Sequence, residues 1–322
     1  MAVVVTGGAG FVGSHLVDRL AARGERVVVI DDLSTGRVGN LAAVISRAEA
    51  IFIYADLAAP EFDLAQAIAE AAPERVSEIY HLASPASPEA YGARPWETLA
   101  VNSIGTMRVI ELALAQRARL LLASTSEIYG DPLVHPQPES YFGNVNSVGP
   151  RACYDEGKRF AEAAVAVAAA RRGLDGRIVR VFNCYGPRMQ LGDGRLVPAL
   201  FAAASEGRPL PIHGDGRQTR SMTYVDDLVS GMLAVAHASQ PTLQPVNLGS
   251  EEEVSVEDIA RAVAGVVGVP FTPAYLPARP EDPQRRRPCL DLARALGWEP
   301  STALREGLRA THAWLRRELV LA

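Results

Sequence analysis

Cysteine is scarce in this chain: Cys153, Cys184 and Cys289 are the only three in 322 residues, and none stands in a C-x-x-C pair. That pattern argues against a disulfide framework and a structural zinc site, and a reducing compartment suits isolated thiols best. No group of His, Asp and Cys has metal-ligand spacing either, so no metal is expected. An excess of positive charge is also missing. With 32 Lys and Arg against 37 Asp and Glu the net charge is −5, which argues against nonspecific nucleic-acid binding. The run Arg285-Arg286-Arg287 is suited to gripping a small anion. Residues 2–5 already form an apolar run leading into glycines, leaving no room for a basic segment, a signal-peptide core and a cleavage site, which points to a cytoplasmic protein. The Ala/Val-rich stretch 161–170 is too short for a span of about 20 residues and is flanked by Lys158-Arg159 and Arg171-Arg172, so it reads as a buried helix rather than a membrane segment. What is present is 48% hydrophobic residues, enough for one large or two modest domains with a substantial core.

The chain begins AVVVTGGAGFVGSHLVDRLAARGERVVVIDDLSTG: a short apolar strand, a glycine turn, a helical period and a second apolar strand, which is a βαβ unit. Gly8, Gly10 and Gly13 satisfy G-x-G-x-x-G, and Gly7, Gly10 and Gly13 satisfy G-x-x-G-x-x-G. Such a turn lets the backbone approach a pyrophosphate at a helix N-terminus. Asp31 closes the second strand, where a carboxylate can accept both adenosine ribose hydroxyls and repel a 2′-phosphate, favouring NAD over NADP. Further strands are predicted at 50–55, 78–83, 119–124 and 177–182, with helices near 61–72, 95–117 and 152–172 between them. This alternation implies an α/β fold with a doubly wound parallel sheet covered on both faces. Asp56-Leu57, Leu82-Ala83-Ser84 and Ser124-Thr125-Ser126 all fall at strand carboxyl ends, the edge where such sheets bind ligands.

Tyr154 and Lys158 stand four apart in PRACYDEGKRFAEAA, after Glu127 in STSEIYGD. That spacing puts a phenol and an ammonium on one helical face. A free tyrosine, with a pKa of about 10, is a poor base at neutral pH, and a nearby positive charge stabilises its phenolate. An isolated Y-x-x-x-K is more often an ordinary amphipathic helix; here the upstream dinucleotide unit tips the reading toward proton handling. His15, His81 and His213 read as packing or structural residues.

These residues resemble the extended short-chain dehydrogenase/reductase family: TGGAGFVGSHL, a Ser/Thr-rich strand end before Tyr129-Gly130, then Tyr154-x-x-x-Lys158. Within it the chain looks like the UDP-glucuronate decarboxylases. HLASPASP at 81–88, LLASTSEIYGDP at 121–132, GPRACYDEGKR at 149–159, FNCYGPRM at 182–189, QTRSMTYVDDLV at 218–229, VNLGS at 246–250 and DPQRRRP at 282–288 carry that resemblance across the whole chain.

The resemblance implies a Rossmann-type NAD domain, 1–182 plus about 221–250, and a smaller C-terminal α/β nucleotide-sugar domain, 183–220 plus about 251–322. It implies a UDP-sugar substrate and a homodimer. For the cofactor it implies Gly7, Gly10, Phe11, Val12 and Gly13 at the first turn, and Asp31, Asp32, Ser34, Thr35 and Gly36 after the second strand. Asp56, Leu57, Leu82, Ala83, Ser84 and Ala123 follow at later strand ends, joined by Tyr154, Lys158, Cys184 and Arg195. For the substrate it implies Ser126, Asn183, Arg188, Leu210, Ile212, Arg220 and Arg286. Thr125 would bond the sugar 4-hydroxyl beside Tyr154, while Lys158 would hold the nicotinamide ribose and lower the tyrosine pKa. Glu127 and Arg286 match the acid and arginine of the decarboxylation.

The chemistry follows from the substrate. Glucuronate carries its carboxylate on C5, so oxidising the 4-hydroxyl makes a β-keto acid, which loses carbon dioxide readily. Tyr154 is the expected base, and with Thr125 it would stabilise the enolate oxygen. Glu127, near the substrate's own carboxylate, is expected to have a raised pKa through like-charge repulsion. Arg286 suits a carboxylate or phosphate bidentately. The segment 209–220 reads as a short strand and glycine turn that could clasp a base and present Arg220 to phosphate. Two departures stand out: Ala100-Val101-Asn102 replaces the family's Lys-Thr-Asn or similar, and 57–77 is lengthened by EFDLAQAIAEAAPERV. Escape of some UDP-4-keto-pentose and NADH is therefore expected. UDP-sugar 4-epimerisation or 4,6-dehydration is the rival within the family, and a non-catalytic NAD(H)-binding regulatory protein the rival outside it. Wide apolar faces on the helices at 95–117 and 152–172, with Ala161, Ala164, Val165 and Ala168, point to dimerisation.

Overall fold

Five strands in the first part of the chain are mostly short runs of β-branched and aliphatic residues, and burial on both sides explains why the first, second and fifth do not alternate with polar ones. In the computed structural model, which describes residues 1–239, 243–278 and 285–321, these become β1 (Ala2–Thr6), β2 (Arg26–Asp31), β3 (Ala50–Tyr54), β4 (Val76–His81) and β5 (Arg119–Thr125). With β6 (Gly176–Val181) and β7 (Val246–Leu248) they form one seven-stranded sheet in the order β7-β6-β5-β4-β1-β2-β3. Every pairing in it is parallel. The order reverses between β1 and β4, the point at which a doubly wound sheet opens a crevice.

The expected strands are all found, with ends moved by one or two residues. β4 starts at Val76 because Ala2 pairs with Val76, and it ends at His81, so that Leu82 and Ala83 leave the sheet. Period-two alternation separates two cores. Val3, Val5, Val27, Val29, Leu121 and Val179 face the helices Phe11–Ala21 and Val225–Ala236. Val4, Val28, Ile30, Ile79, Leu120 and Ile178 face the helices Leu64–Ala71, Thr106–Gln116 and Ala152–Arg172. A third core, around Phe201, Leu210, Ile212, Ile259 and Val263, lies among the helices Leu196–Ser205, Val256–Val267 and Leu304–Leu321.

The predicted helix at 61–72 begins at Leu64, because the Asp63 carboxylate caps it by accepting the Gln66 amide. Leu64 and Ile68 bury against the sheet, and nothing from 58–77 lines the main cavity. The lengthened segment therefore builds packing rather than reshaping the substrate mouth. The predicted helix at 95–117 is interrupted by a π-turn at Val101–Gly105. Among the described residues Pro95–Gln116 is the one helix long and apolar enough to cross a membrane, and half of it is buried inside the fold. The stretch 161–170 is only half a core helix. Ala161, Val165 and Ala168 pack on the sheet, Ala164 lies partly buried against them, and Val167 is 61% exposed.

Candidate active site

A cavity of about 940 Å³ opens at the carboxyl ends of β1 to β6. It lies at the upper end of the range for ligand sites, roughly 300–1,000 Å³. Its floor is the first glycine turn. Gly7 has φ +71°, and a Cβ there would sit 2.7 Å from the Ala83 amide nitrogen; a Cβ on Gly13 would overlap the Gly7 carbonyl. Only glycine leaves a backbone cradle this shallow. Asp31, at the end of β2, accepts the Ala9 amide at 2.9 Å and the Leu33 amide at 2.8 Å, which fixes its carboxylate at the rim. Burial raises its pKa against those amides. Phe11, Val12, Asp32, Ser34, Thr35, Asp56, Leu57, Leu82, Ala83, Ser84, Ala123 and Cys184 all line the same cavity. Gly36 does not: a Cβ on it would meet Asp31 Oδ1 and Ala9, so it packs behind the acid as support. A cradle filled by any Cβ and an acid at the second strand's end fit NAD.

Tyr154 and Lys158 come from one face of the helix Ala152–Arg172, as their spacing requires, and Tyr154 is 6% exposed. The expected lowering of the tyrosine pKa by Lys158 is not found. Lys158 Nζ donates to the Ala123 carbonyl at 2.9 Å and lies 6.0 Å from the tyrosine ring centroid. Burial raises the phenol well above its usual range, Thr125 draws it part way back, and Glu127 and Asp155 push it up further. Burial also lowers Lys158 to about 8, with Glu162 opposing. Sequence reasoning missed Tyr91, which stacks on Tyr154 at 5.1 Å between centroids and 7° between planes. Its hydroxyl is buried without a hydrogen-bond partner. No local pattern marks it, since the helix Pro88–Ala93 brings it over from beyond β4.

Glu127 follows β5 in a short turn capped by Thr125 Oγ1, which accepts the Glu127 amide at 3.1 Å. Its carboxylate is held between two guanidiniums, Arg151 on one oxygen and Arg286 on the other. The expectation of a raised pKa is overturned: burial alone would raise it, but Arg286 and Arg151 outweigh burial and hold it below the ordinary carboxylate range. Arg151 is the second residue missed, although it lies inside the GPRACYDEGKR word.

Asp155 behaves oppositely. Burial and Glu127 lift it from 3.8 to about 7, and its Oδ1 has no hydrogen-bond partner. A carboxyl raised on folding holds its proton where the unfolded chain has lost it, so stability falls as pH rises from about 4 to about 7. Asp155→Asn is expected to be more stable than the unaltered protein at pH 8, by at most about 4 kcal/mol, with the gap closing toward pH 4. Denaturant midpoints at several pH values measure this.

On the substrate side Ser126, Asn183, Arg188, Arg195, Arg220 and Arg286 line the cavity. Asn183 Nδ2 and Arg188 Nη1 are buried and unpartnered, while Arg188 Nη2 pairs with Asp18. Arg195 lies 5.7 Å above the Phe11 ring and pairs with Asp193. Leu210 and Ile212 do not reach the cavity. The strand Leu210–His213 alternates, so both point into the third core, and Pro211 and His213 face the cavity instead. His213 is anchored by the Pro277 carbonyl. His15 bonds the Pro187 carbonyl and His81 lies between Thr6 and Thr106. From the DPQRRRP word, Asp282, Pro283 and Gln284 lie outside the described residues.

The chain is similar to known proteins over nearly its whole length. The model of the NAD dependent epimerase/dehydratase family matches residues 3–249. UDP-glucuronic acid decarboxylase 1 of Xenopus tropicalis is 45% identical over 98% of this chain and 72% of its own length. The Arabidopsis thaliana protein of the same name is 45% identical over 95% of this chain and 68% of its own. Among solved structures, UDP-glucose 4-epimerase of Thermotoga maritima with UDP-glucose has a TM-score of 0.89 at 30% identity, covering 99% of this chain and 100% of that one. UDP-glucuronic acid 4-epimerase of Bacillus cereus with UDP-glucuronic acid and NAD has a TM-score of 0.87 at 26% identity, over 99% and 100%. With its glycine cradle, strand-end acid and Tyr154–Lys158 pair, the chain belongs to the NAD dependent epimerase/dehydratase family.

Proposed function

We propose that this protein decarboxylates UDP-glucuronate through a UDP-4-keto intermediate to UDP-xylose, with escape of some UDP-4-keto-pentose. The observation that carries the reading is the Glu127 carboxylate held between Arg151 and Arg286 beside Thr125 and Tyr154. Epimerisation needs no such device, and a regulatory NAD(H) sensor needs no proton-handling pair. The relatives named UDP-glucuronic acid decarboxylase support the same choice.

Gly7, Gly10, Gly13 and Asp31 would hold NAD, with Lys158 at its nicotinamide ribose. The chemistry that NAD supplies when bound is reversible acceptance of hydride from C4 of the sugar. Tyr154 Oη takes the proton of the 4-hydroxyl and returns it, and C5, once carbon dioxide has left, takes one further proton from water to complete the pentose. Thr125 Oγ1 holds that hydroxyl in line, and the two together stabilise the oxyanion left when carbon dioxide departs. Glu127, kept ionised, fixes the Arg151 and Arg286 guanidiniums at the site, where they would orient the sugar's carboxylate for its loss as carbon dioxide. Asn183 and Arg220 bind the diphosphate. Ala100, which stands where the family has lysine, does not line the cavity, although Val101 beside it does, so the support for leakage of the keto sugar is the missing lysine in the sequence alone.

The NAD unit comprises 1–182 with about 221–250, and the sugar unit the remainder. The protein works as a cytoplasmic homodimer. The support for pairing is not Ala161, Val165 and Ala168, which the sheet covers, but exposed Ile104, Met107, Phe160 and Val167 on the same helices. Incubating purified protein with UDP-glucuronate, with and without added NAD, tests the activity. UDP-xylose is the expected product. UDP-galacturonate alone would establish the epimerase, and retained NAD without turnover would establish the sensor.

A further inference from the structure

Arg286 lies in a stretch with no helix or strand, yet it is 6% exposed and meets Glu127 from across the fold. Something must hold that stretch in register, because a side chain as long as arginine reaches a buried carboxylate reliably only from a fixed backbone. The contacts around it converge on Gln137, which is 1% exposed. The Gln137 amide donates to the Arg287 carbonyl at 2.8 Å, and the Cys289 amide donates to the Gln137 carbonyl at 2.9 Å, a parallel bridge opposite Pro288. Any residue with a free amide could make those two bonds. The side chain adds what others cannot. Gln137 Oε1 accepts the Arg287 amide at 2.9 Å, and its Nε2 donates to the Val134 carbonyl at 2.8 Å. Asn247 closes the unit, its Nδ2 reaching the Gln137 carbonyl at 3.0 Å and the Cys289 carbonyl at 3.2 Å.

We propose that Gln137 is a positioning residue for the decarboxylation step: its amide anchors the peptide joining Arg286 to Arg287, and so holds the Arg286 guanidinium on Glu127. The inference rests on the decarboxylase reading. Glutamine is required because one side chain must both accept from Arg287 and donate to Val134. Glutamate keeps the acceptor alone, asparagine is a methylene short, and methionine fills the space with neither group. Gln137 touches no cavity wall, so its effect must pass through Arg286.

The test measures carbon dioxide release and nicotinamide reduction after UDP-glucuronate is added to the NAD-loaded protein. Absence of release from the unaltered protein overturns the parent reading and this one with it. If release is present, Gln137→Met is expected to slow it roughly 10- to 100-fold, the scale of an ångström misplacement of a reacting group. NAD content and nicotinamide reduction should stay near the unaltered level, and Gln137→Glu, which keeps the acceptor for Arg287 and loses the donor to Val134, should recover only part of the loss. In an Arg286→Ala background Gln137→Met should add nothing further; a full additional loss there shows that Gln137 acts elsewhere and overturns the proposal. Equal loss of reduction and release overturns it also, as a merely structural effect. Should the methionine variant not fold, amide hydrogen exchange on the unaltered protein decides. Slow exchange at Arg287 and Cys289 supports the anchor, and exchange as fast as an exposed loop refutes it.

Discussion

Tyr154→Phe is expected to lower turnover of UDP-glucuronate by about 10²- to 10⁴-fold, the usual contribution of a positioned acid–base group. Its NAD content should not change. The ring of Tyr154 is stacked on Tyr91 and buried, so phenylalanine keeps the packing and loses only the hydroxyl. Lys158 is anchored independently on the Ala123 carbonyl, so the cofactor side of the pair stays in place. The state of the phenol adds a second readout. Burial, with Glu127 and Asp155 nearby, keeps Tyr154 protonated in the free protein at neutral pH. A protonated phenol cannot accept the 4-hydroxyl proton, so turnover in the unaltered enzyme should rise as pH increases and more phenolate forms. The phenylalanine variant should lack that rising limb. Retention of more than about a tenth of the activity would mean that another group is the base, since the loss would then fall below the acid–base range.

How much of this site was legible in the chain divides by distance. The glycine turn, Asp31 and the Tyr154–Lys158 spacing are local patterns whose meaning depends on a few neighbouring residues, and the structure brings all of them to one cavity. Leu210 and Ile212 failed because a four-residue strand reads equally well on either face until its core is known. The charge state of Glu127 was beyond reach for another reason. Its sign is set by Arg286, 159 residues away, and by Arg151 across a turn; burial alone gives the opposite direction. One signal was present and unused. Lys158 is the only lysine among 32 Lys and Arg residues. A chain that uses arginine for every other cation keeps an ammonium where a compact charge must fit in a buried site and titrate near neutrality, and Lys158, at about 8, does so.

The same arginine pair makes Glu127→Gln the substitution with two separable consequences. Folding has buried two guanidiniums around one carboxylate, and the neutral amide leaves both without their counter-charge. Removing one member of a buried ion pair costs on the order of 3–5 kcal/mol, so a clear fall in denaturant midpoint is expected at pH 8. The sign with pH follows from the lowered pKa. A carboxyl depressed on folding contributes stability above its unfolded pKa and loses it as pH falls through the folded value. The deficit of the variant should therefore shrink toward acid pH, the reverse of the trend expected for Asp155→Asn. The catalytic consequence is confined to one step. Tyr154 and Thr125 remain to handle the 4-hydroxyl, so nicotinamide reduction should still follow UDP-glucuronate addition. Carbon dioxide release should slow by about 10²-fold, the scale of an ångström misplacement of the groups that the clamp positions. The variant should then accumulate reduced cofactor and a keto sugar that still carries its carboxylate, which mass analysis of the bound nucleotide sugar detects. Unchanged carbon dioxide release would show that the clamp serves the fold alone.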